Sequence, residues 1–341
     1  DLFDDVLGDL RHVPRHPLLL TRFGLPALAP VTALARTIFR DPPARALFAG
    51  VGAHSMRSLG APLTSAFALV LAVSAHASGW PVIEGGSGQL TDALVRRLVD
   101  LDAEFVCGQP ITSFGELPDV PVTMLDLTPR QLLEIAGDAL PARYRRGVQR
   151  FRYGPGVFKI DYALSEPVPW ASERCRRAAT VHLGGTLEEI AASEAAVEAS
   201  RHSERPFVLA VQATVPDPSR APVGRHTLWA YCHVPAGSTL DRTAAVEGQL
   251  ERFAPGFRDV VLARATRTAA EYQAYDANFV GGDINGGRAG VFQAALGPVP
   301  QWSRYRTPLR GVYLCSSSTA PGGGVHGMCG QNAAREALRK G

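Results

Sequence analysis

Tyr313-Leu314-Cys315-Ser316-Ser317-Ser318-Thr319-Ala320-Pro321-Gly322-Gly323-Gly324-Val325-His326-Gly327-Met328-Cys329-Gly330 begins as an apolar strand, passes through small polar residues and enters a glycine-dense loop. A helical pattern follows at 332–338. Backbone amides at a helix start, with no side chains in the way, suit a phosphate or another electron-rich group. Gly322 to Gly327 spells a literal G-x-G-x-x-G, but the sequence ends at Gly341. That leaves no room for the second strand of a βαβ unit, nor for the acidic residue about 20 positions on that reads a ribose. The loop reads as cofactor-facing without being a Rossmann fingerprint.

Upstream lies a second glycine-dense segment, Asn278-Phe279-Val280-Gly281-Gly282-Asp283-Ile284-Asn285-Gly286-Gly287-Arg288. Four glycines in seven positions imply tight turns or close approach to a ligand. Asp283 within it is either a ligand contact or a turn-forming aspartate.

The 151–265 stretch alternates as half-buried strands do at 157–164, 180–183, 207–214 and 227–234. Trp229 and Tyr231 share one strand face, for core packing or for lining a cavity. Helices are expected at 187–199, N-capped by Thr186, and at 241–253. Several connections are too short for parallel crossovers, so the expected fold class is α/β (α+β) with a mixed or antiparallel sheet under covering helices.

Residues 1–79 read as helical, with apolar runs at 31–39, 44–52 and 65–76 broken by Pro and Gly. The stretch 58–83 carries no Lys or Arg, and Pro62 and Gly79 bound its helical part. About 16 residues rise roughly 24 Å, short of a roughly 30 Å hydrocarbon core. A buried helix is expected, with a monotopic membrane surface or a lipophilic tunnel wall as the alternative. Beyond Gly79-Trp80-Pro81 the pattern predicts a helix at 87–100, strands at 104–107 and 121–125, and a helix capped by Thr128 with Pro129 at its first position. Asp126 is expected to cap or bond that helix.

At 341 residues the chain can bury a large core and favours two domains. A net charge of +3 with scattered basic residues gives no nucleic-acid footprint. Cys107, Cys175, Cys232, Cys315 and Cys329 form no CxxC or Cys/His ligand set, which points to free thiols in a reducing, cytoplasmic setting and to no metal site. The opening Asp1-Leu2-Phe3-Asp4-Asp5 carries no signal peptide and reads as excised from something longer.

Four blocks together resemble the C-terminal two-thirds of carotenoid-desaturase-like (phytoene dehydrogenase-like) FAD-dependent oxidoreductases. They are Trp80-Pro81-Val82-Ile83-Glu84-Gly85-Gly86-Ser87-Gly88-Gln89-Leu90-Thr91-Asp92-Ala93-Leu94, the 281–287 glycines, Tyr305-Arg306-Thr307-Pro308-Leu309-Arg310-Gly311-Val312-Tyr313-Leu314-Cys315, and Pro321-Gly322-Gly323-Gly324-Val325-His326-Gly327. The resemblance covers most of 80–341.

It implies FAD as cofactor, contacted by Gly85, Gly86, Asp283, Ser317, Gly322, Gly323, Gly324, Val325, His326, Gly327 and Met328. Ser316, Ser317 and Ser318 would bond flavin or pyrophosphate oxygens, or merely tolerate a tight turn. His326 is the single titratable side chain inside the flavin-facing loop and the one catalytic candidate; the alternative is a packing or backbone-bonding role. The implied chemistry is hydride transfer between flavin and a lipophilic, isoprenoid-like substrate, with peripheral membrane contact as an option. The implied division is a helical substrate-side segment at 1–79, FAD-domain parts at 80–145 and 300–341, and a substrate domain at 146–299. No strand–GxGxxG–helix precedes residue 80. The chain is therefore read as a partial version, and the alternative is a non-catalytic lipid-binding or escort protein on the same fold.

Overall fold

The structure is a computed structural model that describes residues 15–290, 293, 297–299, 301 and 303–339. Residues 1–14 of the expected helical segment lie outside the described residues, as do 300, 340 and 341.

Four helices open the described chain: α1 (Pro17–Leu28), α2 (Val31–Ile38), α3 (Pro42–Gly52) and α4 (Thr64–Ser78). Proline punctuates them, with Pro30 at the N-cap of α2 and Pro42 opening α3, where a missing N–H is no loss. Gly79 ends α4 at φ 71°. Val31, Ala35, Phe48, Ala49, Leu59 and Ala68 make their core. No single described helix is long and apolar enough to cross a membrane; α1 and α2 together have the composition but are bent by 112°.

Next come α5 (Gly88–Val99), β1 (Thr123–Leu125), α6 (Pro129–Ala136) and α7 (Ala142–Gln149). The expected strand at 104–107 does not form: these residues have no ladder partner, and Val106 is 75 % exposed. Local sequence could not foresee that, because a strand exists only when another strand is there to pair with it. Thr128 does precede α6, but its hydroxyl bonds the Gln131 side chain and its amide the Asn278 Oδ1 at 2.9 Å, so it caps no helix amide. Asp126 likewise makes no cap.

The central element is a sheet of β2 (Gly156–Leu164), β3 (Thr180–Leu183), β4 (Val208–Val211), β5 (His226–Val234) and β6 (Val261–Arg267). Its order is β3-β4-β5-β2-β6, antiparallel throughout. Strand β4 ends at Val211, short of the expected 214, although the Gln212 backbone amide still donates to Ala179 O at 2.8 Å. The Gln212 side chain accepts from Trp170 Nε1 at 2.9 Å and donates to the carbonyls of Cys175 and Ala178.

The short α8 (Glu173–Arg176), then α9 (Leu187–Glu198), α10 (Thr243–Phe253) and α11 (Ala269–Tyr275), surround this sheet. Thr186 caps α9 as expected, and Glu189 returns the bond to complete a capping box. Strand alternation sends Phe158, Ile160, Leu228 and Ala230 into one core with Val246 and Leu250 of α10. Across the sheet, Phe207 joins Leu187 and Ile190 of α9 in the core of the four opening helices. At Gly50, a Cβ would stand 3.2 Å from His182 Cβ, so a bare glycine lets α3 reach β3.

Strand β7 (Val312–Leu314) pairs in parallel with β1, and α12 (Met328–Leu338) follows the glycine loop. The helix starts four residues before the expected 332, directly behind Gly327. Leu125, Leu132, Leu140, Tyr144 and Leu314 form the core here.

Candidate cofactor and substrate site

The N-terminus of α12 is built on Gly327, whose φ of 65° turns the chain into the helix. His326 Nδ1 accepts from the Met328 amide at 3.0 Å and so caps the helix. Partial burial lowers the His326 pKa, with a bond to the Gly322 backbone pulling the other way; the neutral ring that results is the form able to accept. Cys329 is buried, and its Sγ donates to Gly322 O at 3.4 Å. Burial raises its pKa, so it stays a thiol.

A Cβ placed on Gly322, Gly327 or Gly330 would meet nothing within 4 Å, and Val325 is 96 % exposed. The loop thus turns bare backbone and the positive end of a helix toward open space. Behind it, Asn332 is buried with both amide atoms unpartnered, which marks capacity for one further polar group.

The second glycine loop folds against the first. Ser318 Oγ donates to Gly286 O at 2.5 Å, and a side chain on Gly286 (φ 72°) would run into Ser317. A Cβ on Gly323 would stand 3.0 Å from Asn285 O. Asp283, fully buried, organises this loop: its carboxylate accepts from Gly154 N at 2.6 Å and Asn285 N at 2.8 Å. Burial raises its pKa against the pull of those amides and that of Gly287. Ser316 and Ser318 satisfy backbone carbonyls, Ser316 that of Leu127.

Of the residues singled out from sequence, the structure brings together Asp283, Ser317 and the 322–328 loop. Gly85 and Gly86 are held elsewhere, by the turn of Asp217 and Arg220. Asp217 Oδ2 accepts from Gly85 N at 2.8 Å, Arg220 donates to Gly85 O at 2.5 Å, and no described bond links the pair to the C-terminal loop. Asp126, expected at a helix cap, stands near Cys315 and Cys329 instead. Burial and the neighbouring Asp276 hold its carboxyl above the usual range.

Sequence reasoning missed two buried polar pairs. His233 Nδ1 and Glu194 Oε2 lie 2.7 Å apart with both side chains 1 % exposed, and His233 Nε2 and Glu194 Oε1 have no partner. His54 and His182 meet at 3.0 Å. The one local signal was a histidine at an alternating position of an apolar strand, which strand pattern alone does not separate from core.

The sheet face opposite α10 carries Trp229 and Tyr231, stacked at 6.2 Å and 11°. Lys159 Nζ lies 5.6 Å over the Trp229 ring and pairs with Asp161. This half-open face has aromatic floor and polar rim, as a wall for an organic substrate would.

No family model matches the chain. It is 26% identical over 307 residues to the rat "pyridine nucleotide-disulfide oxidoreductase domain-containing protein 2", covering 76% of this chain and 51% of that protein. The mouse protein of the same name is 27% identical over the same shares. The chain therefore spans about half the length of the curated relatives it matches. Among solved structures, an oxidoreductase from Methanosarcina mazei superposes with a TM-score of 0.62 at 17% identity, covering 94% of this chain and 70% of that one. A putrescine oxidase bound to putrescine superposes at 0.54 and 15%, over 94% and 69%. The curated relatives carry an oxidoreductase domain by name, the solved structures are oxidoreductases, and the chain shares the fold of those solved structures.

Proposed function

We propose that this chain supplies the flavin-ring side and the substrate wall of an FAD-dependent oxidoreductase acting on a lipophilic small molecule. The observation that carries the reading is the bare loop 322–327 opening α12, packed on the Asp283 loop, with the unpartnered Asn332 behind it. Those features fit a flat, electron-rich ring. Amides at the start of α12 would favour negative charge on it, and Gly322, Gly327 and Gly330, where a Cβ would meet nothing, would let it approach the backbone.

FAD, when bound, supplies hydride acceptance and donation. The chain's own residues orient and exclude water. His326 holds the helix start through Nδ1 and stays neutral, which supports a positioning role rather than proton donation. Asp126, with its raised carboxyl pKa near the loop, is the better candidate for holding a proton. On this reading residues 80–145 and 300–341 belong to the FAD-binding part, 146–299 to the substrate part and 1–79 to its helical border. The desaturase or saturase direction and an isoprenoid substrate rest on the four sequence blocks alone. Exposed Leu18, Leu25, Leu28 and Leu47 on the helical border support peripheral membrane contact as part of the same reading.

The test is titration of the purified chain with FAD, followed by visible absorbance and flavin fluorescence. Saturable binding that weakens in Gly330→Val, where a side chain meets nothing of the protein itself, supports the proposal; a chain that stays colourless and leaves flavin fluorescence unchanged sinks it.

A further inference from the structure

The sheet face opposite α10, covered at β3 by α3 and open toward β6, is crossed by a row of side chains that the strand register fixes. His182 pairs with Leu209, Leu209 with Tyr231, Tyr231 with Lys159, and Lys159 with Arg267, from β3 to β6. Directly paired residues point to the same face. Two cations, Lys159 and Arg267, therefore stand opposite each other at one end of an aromatic floor, an arrangement that costs stability unless something answers the charge.

Lys159 is answered by Asp161. Arg267 is not: no described carboxylate or carbonyl accepts from its guanidinium. Glu271 is near enough to feel the charge, but its carboxylate is committed to the amide and hydroxyl of Thr268 at 2.7 and 2.8 Å. Instead the Arg267 guanidinium lies against two rings, 4.3 Å from the centre of Tyr275 and 5.5 Å from that of Tyr272. Tyr272 is itself braced edge-on by Phe279 at 5.8 Å. A guanidinium stacked this way is held in orientation while its in-plane donors stay available, the geometry that suits a carboxylate. A pure hydrocarbon would leave that cation desolvated for no return, and a cationic amine would be repelled by it.

We propose that the open face receives an amphiphile with a carboxylate head and an apolar tail, Arg267 gripping the carboxylate while Trp229 and Tyr231 carry the tail. The proposal rests on the reading of this face as the substrate wall. The chain is titrated calorimetrically with dodecanoate, dodecanol and dodecyl phosphate. Dodecanoate is expected to bind about tenfold tighter than dodecanol, the preference vanishing in Arg267→Gln while Trp229→Ala weakens both probes. Equal affinity for acid and alcohol in the unmodified chain overturns the carboxylate assignment but leaves the wall in place, and this comparison stands even if Arg267→Gln fails to fold. Tighter binding of dodecyl phosphate than of dodecanoate also overturns it, in favour of a phosphate head. Binding that Trp229→Ala leaves untouched, or none by any probe, overturns the wall reading itself.

Discussion

His54 Nε2 and His182 Nε2 lie 3.0 Å apart, joining the turn after α3 to strand β3. Only one proton fits between them, so at least one ring must be neutral. Burial, with His233 adding, brings the His54 pKa down to about 4; burial and His54 bring that of His182 down to about 3. Both folded values lie below the unfolded 6.5. Their stabilising contribution is therefore complete above the unfolded value and is lost as pH falls toward about 4. Thermal melts should show a loss on the order of 3 kcal/mol across that window. His182→Phe should flatten the slope; a slope unchanged in that variant would remove this pair as its source.

The contact of Gly286 with Ser317 predicts that Gly286→Val separates the two glycine loops. The clash adds to a positive φ, together about 2 to 3 kcal/mol. FAD affinity should fall in parallel with melting temperature. Retained affinity in a destabilised variant would argue that the loops need not meet to hold flavin.

Gln212 bonds Trp170 Nε1 and two carbonyls at once. Gln212→Leu strands a fully buried indole N–H, at a cost of about 3 kcal/mol. Denaturant unfolding followed by tryptophan emission measures it; a cost well under 1 kcal/mol would mean water replaces the amide.

The His326 cap predicts that His326→Ala costs about 1 kcal/mol and frays α12, while His326→Asn, still an acceptor, restores most of it. Should turnover depend on pH through His326 in a reconstituted holoenzyme, the Asn variant would lose that dependence, and the positioning role would have to give way to a proton-transferring one.

The strands at 157–164 and 227–234 were legible because a half-buried strand repeats every two residues, and the Thr186 cap was legible because it closes within four; the answering bond from Glu189 came from the structure. The glycine loops were legible as sites of bare backbone. The strand at 104–107 was misread because Phe105-Val106 looks the same with or without a partner strand.

Sequence by itself thus determined which segments alternate and that 322–327 is dominated by glycine, with side chains at Val325 and His326 alone. Tertiary structure alone decided what meets what. Asp283 became the anchor of a loop through Gly154, 129 residues away, and Lys159 came to face Arg267 through a shared register. Such contacts arise when distant strands and loops pair to bury apolar surface and satisfy backbone groups, and no local pattern records which partner will be there.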